Sequence, residues 1–141
     1  MLPKPTDDLM KELTCSEDLD QYIKNNKAYF TDTSLAEALN QKLEEKGLQK
    51  SVVIKAAEIN EIYGYQIFSG KRIPSREKLL CILIGMKLFL SETQQLLKLA
   101  GYAPLYPKNV RDSIVISGLQ NACSVMEINE LLYDHQEPTL E

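Results

Sequence analysis

QKSVVIKAAEINEIYGYQIFSGKRIPSREK, residues 49–78, holds two short apolar-periodic segments, a turn between them, and then a basic Gly-Lys-Arg-Ile-Pro-Ser step. The first segment predicts a short helix over about 50–57. Asn60 is an N-cap candidate for a second helix that ends at Gly70. Along that second helix Ile59, Tyr63 and Ile67 share one side, and Glu61, Ile62, Tyr65, Gln66 and Ser69 lie on the other. Pro74 and Ser75 then open REKLLCILIGMK. Its apolar positions nearly surround the helix, which predicts an element at the centre of a core.

Helix signals recur on both sides, and strand signals are almost absent. Ser34 and Glu37 form a capping box before LAEALNQKLEEKG, where Leu35, Leu39 and Leu43 fall on one face and Gly47 supplies a stop. Ser91 with Gln94 reads as a second capping box for a helix ending at Gly101. Ser124 with Glu127 reads as a third, before VMEINELLYDH. Asn109 caps VRDSIVISGLQNA. YAPLYPKN, with two prolines, reads as an ordered loop, and the closing QEPTLE reads as loose. Before residue 33, DDLMKEL and SEDLDQYIKNN, with Ser16 as a cap, add N-terminal helices. A weak echo aligns LSETQQLLKLA with VMEINELLYDH at an offset of 35, sharing Glu92/Glu127, Leu96/Leu131 and Leu97/Leu132. The expectation is an all-α chain in three parts: an N-terminal extension over 1–32, a central domain over 33–101, and a C-terminal helical hairpin over 102–141.

The chain's 141 residues carry a net charge of −4, but the charge is not spread evenly. Residues 1–48 hold six Lys/Arg against ten Asp/Glu, residues 49–111 ten against four, and residues 112–141 none against six. A basic middle between acidic flanks either reflects ordinary solvated faces or marks a local surface for phosphates.

The residues at 49–78 resemble the lambda-repressor/Cro-like, XRE-type helix-turn-helix family. The shared pattern is a helix with a polar start, a tight turn, an N-cap and second helix, and a G-[KR]-x-x-P-S step into the next helix. The resemblance covers about residues 33–100. The longer run Q-x-L-L-x-x-A-G-Y-x-P-L-Y-P looks like a group of uncharacterised bacterial regulators. The resemblance implies a five-helix domain that binds double-stranded DNA as a homodimer, with half-sites about one helical turn apart. The second helix would enter the major groove.

On that reading Glu61, Ile62, Tyr65 and Gln66 are the candidate base-contacting residues. Gln66 suits adenine, Ile62 a thymine methyl, and Glu61 a cytosine amino group. Tyr65 also reaches towards phosphate or sugar. Gln49, Lys50, Ser69, Lys71, Arg72 and Arg76 are the candidate backbone contacts, which set position rather than sequence. Gln49 and Lys50 start the preceding helix, where free amides favour a phosphate. Three residues depart from the family pattern, one of them Glu61, whose charge at the first groove-facing position repels phosphates. Glu58 sits in the turn where glycine is common, and glycine accepts a left-handed conformation cheaply. Gly64 occupies an apolar position of the second helix, at about 1 kcal/mol relative to alanine, and leaves room for Tyr63 or Phe68.

No enzyme constellation is present. His135, the single histidine, has no nucleophile beside it in sequence. Cys15, Cys81 and Cys123 have no metal or redox spacing and read as free thiols, and no glycine-rich phosphate loop occurs. No cofactor and no metal are expected. No apolar run has the form of a signal peptide or a membrane span, so a cytoplasmic protein is expected. The acidic C-terminal helices, with no Lys or Arg after Arg111, are candidates for dimerisation, for a protein partner, or for packing back on the basic domain. The alternative function is a protein-interaction module on the same scaffold, anchored by Ile62 and Tyr65.

Overall fold

A computed structural model describes residues 34–141, together with Met10 and Leu19, which are helical and exposed. The helices expected before residue 33 otherwise lie outside the described residues. No strand occurs among the described residues, and residues 34–141 form seven helices. They are α1 (Leu35–Lys46), α2 (Lys50–Ala56), α3 (Glu61–Ser69), α4 (Arg76–Gly85), α5 (Leu90–Leu99), α6 (Val110–Gln120) and α7 (Val125–Asp134). Ser34–Glu141 is one compact unit.

Local polar side chains set most of the helix starts. Ser34, Asn60, Ser75, Asn109 and Ser124 each accept a hydrogen bond from a backbone N–H in the first turn of the helix that follows. Ser124 and Glu127 close a full box: Ser124 Oγ accepts from Glu127 N at 3.1 Å and Glu127 Oε1 accepts from Ser124 N at 3.0 Å. The Ser91–Gln94 box does not form. α5 starts at Leu90, and Glu92 Oε1 instead accepts from Phe89 N at 3.1 Å. Gln94 is engaged elsewhere, because its carboxamide meets both backbone groups of Leu105, at 2.7 and 2.8 Å. That pair pins the proline-containing loop against α5.

α4 is the central element. Leu79 to Ile84, six consecutive residues, are all buried. α4 packs on α2, α5 and α7, α1 packs on α3 and α5, and α6 joins α5 to α7. The core is continuous from Leu39 of α1 through α4 to Ile128 and Leu132 of α7. Burying that many aliphatic side chains, at about 1.5–3 kcal/mol each when complete, is the main source of stability. Cys81 lies in this core, and burial pushes its thiol up to about 11, so it behaves as a small apolar side chain.

The last residues are not loose. Leu140 is buried, its amide donates to Asn129 Oδ1 at 2.8 Å, and Arg111 donates to the carbonyls of Pro138 and Thr139 at 2.8 and 3.0 Å. The composition of QEPTLE is that of a loop, but one leucine and three long-range hydrogen bonds hold it down.

Glu92 ties α1 to α5. Its two oxygens meet Lys42 at 3.0 Å and Lys46 at 3.1 Å. Partial burial alone would raise its carboxyl; the Phe89 amide and the two ammonium groups outweigh that and hold it below the ordinary 4.5. A depressed folded-state value contributes stability that is present above the unfolded value and is lost as pH falls through the folded one. Acid titration should therefore show a loss of stability beginning below about pH 4.5, and Glu92→Gln should flatten the curve there. Identical acid curves for the two proteins would rule this bridge out as the cause.

Candidate nucleic-acid interface

α2 and α3 are joined by a short turn in which Glu58 adopts a left-handed backbone, φ 57°. A residue with a Cβ holds that conformation at a cost on the order of 1 kcal/mol. The turn persists because both flanking helices are anchored. Val53, Ile54 and Ala57 are buried on one side, and Ile67 and Phe68 on the other. Asn40 of α1 adds a tie, donating to the Phe68 carbonyl at 2.8 Å.

Gly64 explains how closely α2 and α3 approach. A Cβ there would lie 2.7, 2.8 and 3.0 Å from Cγ2, Cγ1 and Cδ1 of Ile54. The nearest atoms to that position are those of Ile54 of α2. A large residue on one helix faces a missing side chain on the other, and Ile54 fills the volume that a side chain at 64 would take.

This packing turns one face of α3 outward. Glu61, Ile62, Tyr65 and Ser69 are exposed, with Ile62 at 69%. Gln66 is half-buried at the edge of that face. Gly70 ends the helix with φ 82°, and the chain turns back so that the amides of Lys71 and Arg72 both donate to the Gln66 carbonyl, at 2.9 and 3.2 Å. Ser69 Oγ donates to the same carbonyl at 3.0 Å.

The cations gather around the C-terminal half of α3. Lys50, exposed at the start of α2, places its ammonium 6.0 Å from the centre of the Phe68 ring. Lys71 is exposed. Arg72 lies 6.0 Å from the Tyr63 ring centre, and its Nε donates to Gln66 Oε1 at 2.8 Å. Gln49 occupies the N-cap position of α2, exposed, without a side-chain cap bond. Arg76 is set apart from this group. It is half-buried, donates to the carbonyls of Ala103 and Pro104, and pairs with Asp112 at 3.4 Å. Its charge is spent on holding the loop before α6.

Two features of this surface have no simple sequence signal. One is the coupling of Arg72 to Gln66, which depends on the glycine turn between them; a basic residue two positions past such a helix stop is the only hint. The other is Ile73, 82% exposed beside the two cations. Among the described residues, no three His, Cys, Asp or Glu side chains are placed to hold a metal ion, and no helix is long and apolar enough to cross a membrane.

Comparisons of the chain with protein-family models, with curated proteins and with solved structures give no match.

Proposed function

We propose that residues 33–101 form a lambda-repressor-like helix-turn-helix domain. We further propose that the protein is a sequence-specific, DNA-binding transcriptional regulator acting as a homodimer. The observation that carries this is the outward face of α3, ringed by Lys50, Lys71 and Arg72, none of which pairs with a carboxylate of the described residues. Cations left unneutralised beside an exposed helix face suit a polyanion, while Ile62, Tyr65 and Gln66 supply groups able to meet base edges. α6 and α7 carry no Lys or Arg after Arg111 and stay clear of phosphates, leaving them for dimerisation or a protein partner.

Selection from a random duplex library should enrich one sequence. Binding to the winner should then weaken linearly on a log–log plot against salt. Lys71→Ala should weaken all duplexes alike and lower that slope by about one. No enriched sequence, or binding indifferent to salt, would sink the reading. A protein-interaction role on the same face is favoured by Ile62 and Ile73, two large apolar groups at 69% and 82% exposure. That role predicts salt-insensitive association, so the same titration separates the two.

A further inference from the structure

The chain has three arginines, and two of them are neutralised: Arg76 by Asp112 and Arg111 by Glu77. Arg72 is different. No carboxylate of the described residues pairs with it; its guanidinium lies by the Tyr63 ring and hydrogen-bonds a neutral carboxamide, Gln66. Because an arginine nitrogen can only donate, the Gln66 atom facing it must be the oxygen, and the amide orientation is fixed without ambiguity. Gln66 Nε2 and the two η nitrogens of Arg72 have no hydrogen-bond partner among the described residues.

This arrangement alters what Gln66 can recognise. A free glutamine reads adenine with both ends of its carboxamide, accepting from N6 and donating to N7. Here one of the two lone pairs of Gln66 Oε1 is taken by Arg72 Nε, and the guanidinium beside the other repels the adenine amino group. The nitrogens that the pair leaves without a partner among the described residues, Gln66 Nε2 and the two η nitrogens of Arg72, are all donors. Of the purines, guanine offers two acceptors in the major groove, O6 and N7, and no donor.

Resting on the DNA-binding reading above, we propose that Gln66 and Arg72 act as one reading unit that selects guanine over adenine. Arg72 both positions the Gln66 carboxamide and supplies donors of its own. Tyr63 supports the guanidinium, so the unit is in place before DNA arrives and little side-chain freedom is lost on binding. α3 contains no Lys or Arg, and this pairing brings a cation to its reading face from the loop behind it.

The test uses the full-length protein, a random duplex selection, and anisotropy titrations on paired duplexes that differ by G or A at one position. Wild type should enrich guanine at one position of the half-site and prefer it by about tenfold or more, the range of a good bidentate base contact. Arg72→Ala should free the carboxamide and move the preference at that position to adenine. Arg72→Lys should keep the salt dependence but lose the guanine preference, because a lysine cannot hold the carboxamide and also offer a planar fork. Melting curves of both variants should match wild type, since the exchanged side chain is exposed. The inference is overturned if wild type selects adenine there. It is also overturned if Arg72→Ala weakens all duplexes equally with base preference unchanged, which would make Arg72 a phosphate contact alone. Absence of any selected duplex for wild type would instead overturn the DNA-binding reading itself, and this inference with it.

Discussion

Gly64→Ala is expected to destabilise the protein by about 2 kcal/mol, although the same exchange in an open helix would stabilise it by about 1 kcal/mol. The new methyl would meet three atoms of Ile54 at 3.0 Å or less. Ile54 is β-branched and buried, so it has few alternative rotamers. α3 would have to move away from α2, or Ile54 into the face of α4. Overpacking of this kind costs roughly 1–3 kcal/mol, and three simultaneous contacts place this site at the upper end. Ile54→Ala alone should cost about 2–5 kcal/mol by leaving a cavity. The double variant should be more stable than the two losses added together, with a coupling of about 1–3 kcal/mol, because each change fills or empties the other's space. Urea denaturation of the four proteins measures this. Additivity within about 0.5 kcal/mol would show that the two side chains do not share the volume.

That pair also marks where sequence reasoning reaches its limit. Helix starts were legible because caps are local: Ser34, Asn60, Ser75, Asn109 and Ser124 each bond to an amide three residues ahead. The buried run Leu79–Ile84 was equally legible, since only a helix enclosed on all sides tolerates apolar residues all round. Contacts between distant positions were not. Gly64 announces a close approach but not that Ile54 makes it. Ser91 and Gln94 have cap spacing, yet Gln94 is held by Leu105, eleven residues on, and the helix begins earlier. Leu140 reads as a residue in a polar tail until Asn129 and Arg111 are found against that segment. The echo at offset 35 holds where chemistry is local: Glu92 and Glu127 both accept the amide at their helix start, and Leu97 and Leu132 are both fully buried. It fails at Leu96 and Leu131, the first buried and the second 37% exposed.

Among the candidate contact residues, exposure on α3 followed from helical periodicity alone. The state of each cation did not. Lys71, Arg72 and Arg76 are all charges near one turn in sequence, but Arg76 starts α4 and reaches the loop at Ala103, 27 residues away. Whether a cation is free or spent is a tertiary property. It separates a surface that attracts phosphate from one that only counts as basic.

Arg111→Ala is the second large loss expected, about 2–3 kcal/mol. Arg111 is 17% exposed and touches two segments at once: Glu77 on α4, and the carbonyls of Pro138 and Thr139 near the last residues. Its removal leaves Glu77 with no cation. Glu77 Oε2 is already buried without a hydrogen-bond partner, so the carboxylate would lose its only compensation. Breaking a fully buried pair costs about 3–5 kcal/mol, and the partial exposure of Glu77 brings the figure down. Replacing both partners by apolar residues, Arg111→Met with Glu77→Leu, should recover most of the loss, since neither charge then remains to be paid in desolvation. Amide exchange distinguishes the two jobs of Arg111. If it also fastens the last residues, the Leu140 amide should exchange faster in Arg111→Ala and in the double variant alike, while only the single variant melts early. Unchanged protection of Leu140 in both would show that Asn129 and burial suffice to hold that segment. The charge gives a further contrast: because Glu77 already neutralises Arg111, removing it should leave the salt slope of duplex binding unchanged, where removal of Lys71 lowers it.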